Sequence, residues 1–309
     1  MRRLSMSMTG QIGLSRLAHP SGALMMVAID QRESLRTMFA KARGRGVDDA
    51  LLTDFKVAVA ELLAPHASAM LFDRHFGMPA FEAAAAAAPG CGRIIAADAL
   101  VQEPGGVVEG SDIDLEVDPA AAHERGAAGL KLLLIWRGPE NRERCVDTAS
   151  RFMDRCRQAG LVGIVEAIVR PPDPAGHEAA LVEAARHLGA VGPDLYKCEV
   201  PFAGKAADAA IAAVCEQING VLGCPWVVLS QGVDIPEFPR AVEIACRSGA
   251  SGFLAGRAVW ADTIADDDYR SRLEGVSVPR LKRLVDIVER SARPWYSPAP
   301  AGPDATRSD

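Results

Sequence analysis

Lys197 lies in Asp194-Leu-Tyr-Lys-Cys-Glu-Val-Pro201, a short apolar stretch that reads as a buried strand. The chain has 34 Lys plus Arg, yet its lysines are confined to positions 41, 56, 131, 197, 205 and 282. A guanidinium stays protonated, whereas an amine can lose its proton and attack a carbonyl, so a lysine kept inside a strand of an arginine-using chain points to imine chemistry. An ion-paired lysine near a strand end is the competing reading. Two more charges sit among apolar neighbours, Lys131 in Leu-Lys-Leu-Leu-Leu-Ile-Trp and Glu166 in Gly-Ile-Val-Glu-Ala-Ile-Val. An unpaired ion in such a setting is costly. If all three face one interior, a carboxylate lies between two ammonium groups. A neighbouring cation and partial desolvation favour the neutral form of a lysine, and a carboxylate within reach moves protons. A salt-bridged plug filling the interior is the structural alternative.

The elements that must position these residues are short apolar runs alternating with longer helical patterns. Candidate strands are 23–30, 69–73, 93–97, 130–136, 162–169, 195–199, 226–230 and 252–256. Helical patterns fill 48–63, 78–88, 119–126, 140–160, 177–188, 206–218 and 235–248, and a last one covers 278–290. Strands apolar on both faces and joined by helices imply parallel pairing. Eight such units in roughly 250 residues predict a single (β/α)8 TIM barrel of the α/β class, over 1–292. A doubly wound sheet is the runner-up, but the first strand ends in Asp30-Gln31-Arg32 with no Gly-rich turn. Residues 104–119 read as a long loop over one barrel end, and 293–309 as a disordered tail.

A barrel carries its chemistry at the C-terminal ends of its strands. Polar residues there are Asp30, Gln31 and Arg32; Asp73, Arg74 and His75; Lys131; Glu166 and Arg170; Lys197 and Glu199; Ser230 and Gln231; and Arg257. The seventh and eighth strands end in Ser230-Gln-Gly232 and Gly256-Arg257, small residues that expose N–H groups beside a guanidinium. Loops after these two strands often hold a phosphate in barrel enzymes. Tight turns at Gly232 and Gly256, and a surface charge at Arg257, are the plain alternative. Lys56 lies in an amphipathic helical pattern and reads as part of a solvated face, and His75 reads as a loop histidine.

Net charge is -6 with 49% hydrophobic residues, which speaks against nucleic acid and anionic membranes as partners. The seven cysteines form no C-x-x-C pair and the six histidines are dispersed. Free thiols in the cytoplasm, no metal and no bound cofactor are therefore expected. No long apolar stretch suggests a signal peptide or a membrane span.

Several motifs in chain order resemble one family. They are Ile29-Asp-Gln-Arg-Glu-Ser34, Leu52-Thr-Asp-Phe-Lys-Val57, Leu130-Lys-Leu-Leu-Leu-Ile-Trp-Arg137, Ile164-Val-Glu166, Val169-Arg-Pro-Pro172, Asp194-Leu-Tyr-Lys-Cys-Glu199 and Ala250-Ser-Gly-Phe-Leu-Ala-Gly-Arg-Ala-Val-Trp260. The chain resembles the class I aldolases that include tagatose-1,6-bisphosphate aldolase, and is especially similar to the sulfofructose-1-phosphate aldolases of sulfoglycolysis. The resemblance runs from about Ala23 to Arg290. It implies a lyase with Lys197 as the Schiff-base lysine, Glu166 as acid/base partner, Lys131 as a supporting charge, and Asp30, Gln31 and Arg32 at the mouth. Ser230, Gly232, Gly256 and Arg257 would hold the C1 phosphate. The implied substrate is 6-deoxy-6-sulfofructose 1-phosphate, cleaved to dihydroxyacetone phosphate and sulfolactaldehyde without a metal. The alternative is tagatose or fructose 1,6-bisphosphate. Asp73-Arg-His-Phe-Gly77 and the 102–117 loop depart from the family pattern and are expected near the far end of the sugar. Barrels of this kind are often homo-oligomers, here a dimer or tetramer by analogy. Two other function classes fit the barrel: a phosphosugar isomerase or epimerase, which needs no essential lysine, and a non-catalytic phosphosugar-binding protein.

Overall fold

The structure is a computed structural model that describes residues 13–102 and 108–296. Its strands are β1 Leu24–Ile29, β2 Ala69–Phe72, β3 Gly92–Ala96, β4 Asp98–Val101, β5 Gly110–Ile113, β6 Gly129–Trp136, β7 Val162–Val169, β8 Leu195–Cys198, β9 Trp226–Val228 and β10 Gly252–Ala255. Eight of them close a parallel barrel in the order β1-β2-β3-β6-β7-β8-β9-β10, with β10 pairing back onto β1. This is the expected (β/α)8 fold. Helices cover the outside because parallel strands need long crossovers and both strand faces are apolar.

Alternation along each strand divides the core in two. Leu24, Met26 and Ala28 of β1, Ile94 and Ala96 of β3, Ile164 of β7, Leu195 of β8 and Leu254 of β10 fill the barrel interior. Their neighbours Met25, Val27, Leu130, Val165, Tyr196 and Phe253 pack outward against the helices. Side chains of odd and even positions face opposite sides of a strand. Asp30, Lys131, Glu166 and Lys197 all fall on the inward parity, one step above the apolar floor. Leu14, Leu17 and the ring of Trp295 close the bottom.

The expected helical patterns correspond to helices Asp49–Leu63, Met78–Ala87, Pro119–Glu124, Arg142–Gln158, His177–Gly189, Asp208–Val221, Phe238–Arg247 and Val278–Ser291. The structure adds a helix, Glu33–Arg43, capped by Gly44 in the left-handed region at φ 66°. It also corrects the long loop: Gly110–Ile113 pairs antiparallel with Asp98–Val101, and this hairpin stands over the mouth. Residues 104–107 of that expected loop lie outside the described residues, as do 297–309 of the expected tail. The start of that tail is docked, with the Trp295 amide donating to the Gly22 carbonyl (2.9 Å).

Candidate active site

A cavity of about 390 Å³ opens at the C-terminal ends of the barrel strands. Its floor is charged. Lys197 and Glu166 are register partners on β8 and β7, and Lys197 Nζ donates to Glu166 Oε2 at 2.9 Å. Lys131 Nζ, from β6, stands 3.4 Å from the same carboxylate oxygen. The sequence arrangement of one carboxylate between two ammonium groups is therefore realised.

Two further carboxylates complete the floor. Lys131 Nζ lies 2.8 Å from Asp30 Oδ2 and donates to Asp98 Oδ1 at 2.7 Å. Asp98 opens β4 and is only 1% exposed, so a dry site strengthens its pairing. Burial opposes the charged form of Lys131, but Asp30, Asp98 and Glu166 outweigh it and hold its pKa well above the ordinary lysine value. Lys131 is thus a fixed cation. Lys197 has Glu166 as its ion-pair partner among the described residues. Burial likewise opposes the charge on Asp30, yet Lys131, Lys197 and Arg32 hold its carboxyl well below the usual range.

The rim is built from three arginines and small polar groups. Arg32 donates to the Asp98 carbonyl (2.8 Å) and to its Oδ2 (3.2 Å). Arg170 contacts Glu199 Oε1 at 3.4 Å. Arg257 donates to the neutral Gln231 Oε1 at 3.1 Å and makes no ion pair among the described residues. The Ser230 hydroxyl accepts from the Ala258 amide (3.4 Å), at the start of a short helical turn Arg257–Trp260. Gln31, Ser230, Gln231, Gly256 and Arg257 all line the cavity. At Gly256 a Cβ would run into the Ala28 carbonyl and sit 3.1 Å from Gln31 Nε2, so only glycine lets β10 end this close to β1. Apolar walls come from Leu100, Val108, Leu133, Ile135, Ile168 and Leu229.

Not every expected residue arrives there. Gly232 sits in a left-handed turn at φ 79° and does not line the cavity. Gln102 and Val108 do reach it, but none of Asp73–Gly77 does. Asp73 turns away because its oxygens accept from the His75 and Phe76 amides (2.9 and 2.8 Å) and pair with Lys56. Lys56 is also not solvated. It is 0% exposed and donates to the carbonyls of Ile29 (2.9 Å) and Gln31 (2.7 Å). The reason is its helix: Leu52, Phe55, Lys56, Val59 and Leu63 share the buried stripe.

Asp98 is the one floor residue that sequence reasoning missed. It follows the apolar run Ile94-Ile-Ala-Ala97, so the rule applied to the other strand ends would have found it. Among the described residues, no three His, Cys, Asp or Glu side chains are grouped to hold a metal ion. No helix there is long and apolar enough to cross a membrane. Burial pushes the thiols of Cys91 and Cys215 up to about 12 and that of Cys145 up to about 11, which leaves them without a thiolate at neutral pH.

Known proteins are similar to this chain in sequence and in fold. The DeoC/LacD family aldolases match residues 24–262. A tagatose 1,6-diphosphate aldolase of Listeria monocytogenes is 26% identical, over 92% of this chain and 93% of its own. One from Streptococcus mutans is 26% identical, over 82% and 85%. In three dimensions the chain is similar to a Schiff-base-forming fructose-1,6-bisphosphate aldolase (TM-score 0.59, 15% identity, 90% of this chain and 99% of that one). It is also similar to a fructose-bisphosphate aldolase from Slackia heliotrinireducens (TM-score 0.61, 17% identity, 94% of each). At these identities the structural likeness speaks for the fold alone. The family match spans most of the chain and includes every floor residue from Asp30 to Lys197 as well as the Arg257 rim, and so this chain belongs to the DeoC/LacD aldolase family and is a lyase.

Proposed function

We propose that the protein is a class I aldolase that cleaves a ketose 1-phosphate through an imine on Lys197. The observation that carries this is the pair of unlike lysines on one floor: Lys131 is ringed by three carboxylates, while Lys197 meets Glu166 at 2.9 Å inside the cavity. Lys197, as the free amine, adds to the C2 ketone. Glu166 passes protons as the carbinolamine loses water to give the iminium. Glu166 then takes the proton from the C4 hydroxyl, the C3–C4 pair flows into the iminium, and the aldehyde leaves. The enamine is protonated at C3, and water releases dihydroxyacetone phosphate. Asp30 orients the hydroxyls, and the Lys131 charge favours the anionic oxygen that forms near it. The step needs no metal, so activity should survive chelator.

The rim arginines differ in how far their charge is already paired. Arg257, whose side-chain partner among the described residues is the Gln231 amide, suits the dianionic C1 phosphate together with Gln31, Ser230 and Gly256. Arg32 and Arg170 already face the carboxylates of Asp98 and Glu199, which leaves them suited to a singly charged group. That favours 6-deoxy-6-sulfofructose 1-phosphate, giving dihydroxyacetone phosphate and sulfolactaldehyde, in a cytoplasmic sulfosugar pathway. Tagatose or fructose 1,6-bisphosphate is the second reading, favoured by the tagatose 1,6-diphosphate aldolases and the fructose-bisphosphate aldolases to which the chain is similar. Steady-state turnover of the sulfonated ketose and the bisphosphates separates them. The sulfonated ketose is expected to have the higher kcat/KM, and equal or better cleavage of a bisphosphate sinks that choice. A homo-oligomer, dimer or tetramer, is proposed by analogy with similar barrels, and sedimentation as a monomer would refute it.

A further inference from the structure

We propose that Lys56, together with Asp73, is a positioning residue that aims Asp30 at Lys131 from outside the barrel. This rests on the imine reading above and extends it to a side chain that touches no substrate, since Lys56 does not line the cavity.

The ladders that hold β1 end early. Its last partners are Ala255, opposite Val27, and Phe72, opposite Ile29. Asp30 and Gln31 lie beyond that support, yet both line the cavity. Carbonyls two residues apart in an extended chain point the same way. The Lys56 ammonium bonds both of those flanking Asp30, Ile29 at 2.9 Å and Gln31 at 2.7 Å. The backbone on either side of residue 30 is thereby fixed, and its carboxylate meets Lys131 at 2.8 Å.

Asp73 makes the arrangement tolerable. Burial lowers the pKa of the Lys56 ammonium, and Asp73 opposes that. Both side chains are 0% exposed. Asp73 is anchored in turn by two amides of its own turn. One pair thus joins the helix Asp49–Leu63, the end of β1 and the loop after β2. A buried ion pair is seldom more stabilising than apolar residues of the same volume. Apolar residues would, however, leave two carbonyls unheld beside a group that must stand within tenths of an ångström of its place.

The test is a cycle built on Lys56→Met/Asp73→Asn, in which both charges go together and Asn still accepts from the turn amides. On whichever ketose phosphate the native enzyme cleaves, kcat is expected to fall about 10-fold or more with KM little changed. Borohydride with dihydroxyacetone phosphate should still label Lys197. In an Asp30→Asn background the same two substitutions should change kcat by less than about twofold, because the group they aim is gone. An equal loss in both backgrounds, or no loss in the native one, overturns the proposal. If that protein does not fold, Lys56→Gln/Asp73→Asn, whose amide reaches one carbonyl at most, takes its place in the cycle. A crystal structure of the variant reads the proposal apart from the aldol reading. Loss of the Asp30–Lys131 contact supports it, and an unchanged contact overturns it even if the native protein cleaves no ketose.

Discussion

Glu166 is placed to serve both lysines, with one oxygen 2.9 Å from Lys197 and 3.4 Å from Lys131. A carboxylate that both removes and returns protons is not replaced by an amide of the same shape. Glu166→Gln should therefore lower kcat by about 10²–10⁴-fold, the usual range for a lost acid/base group, while circular dichroism stays native. Retention of more than about a tenth of the native kcat would assign the proton transfers elsewhere. Much of this floor was legible in the sequence because period-2 parity decides which side chains enter a barrel. That rule picks out Lys131, Glu166 and Lys197 from apolar strands. Lys56 was legible in principle too, since it shares a stripe with Leu52, Phe55 and Val59. What hid it is the expectation that a lysine on a helix faces water, which fails where a strand end leaves carbonyls to be bonded.

At the scale of elements, the approach of β10 to β1 sets how closely the Arg257 rim meets the acid floor. Gly252 begins β10 at φ 141°, and a Cβ there would run into the Leu24 carbonyl. Gly252→Ala should cost at least about 2 kcal/mol, read as a lower urea midpoint with unchanged slope. A variant as stable as the native protein would show that the closure of the barrel tolerates a wider gap. The hairpin β4–β5 is the element least visible beforehand. Its arms, Asp-Ala-Leu-Val and Gly-Ser-Asp-Ile, are short and carry no strong alternation, so the second reads as loop and the first as no element at all. The barrel strands announce themselves by continuous apolar runs. The hairpin is held instead by pairing to its own partner and by the Ser111 hydroxyl bonding the Leu133 carbonyl. The helix Glu33–Arg43 escaped for a related reason: it carries four charges, Glu33, Arg36, Lys41 and Arg43, and with only Leu35 and Phe39 buried its apolar stripe is thin.

The whole molecule carries a buried charge network whose balance depends on pH. Asp30 has a folded pKa below its unfolded value of about 3.9. A depressed carboxylate contributes stability that is present above the unfolded pKa and lost as pH falls toward the folded one. Lys131 is shifted the opposite way, upward, so its contribution is fully present at neutral and acid pH. The difference in urea midpoint between native protein and Asp30→Asn should thus be constant from about pH 8 to pH 5 and change progressively below about pH 4. A difference that does not vary over that acid range would mean that Asp30 is not ionised against Lys131 in the fold. The overall architecture needed no such detail to foresee. Eight apolar runs at crossover spacing admit few arrangements, and the closed barrel is the one in which every strand has two neighbours and no edge remains.

The central claim is that Lys197, and not Lys131, forms a covalent imine. Incubation with dihydroxyacetone phosphate and borohydride, followed by peptide mass spectrometry, tests it most directly. The expected result is a reduced adduct on the peptide that contains Lys197, absent in Lys197→Ala. No adduct on native protein, or an adduct on Lys131 with Lys197 unmodified, would contradict it.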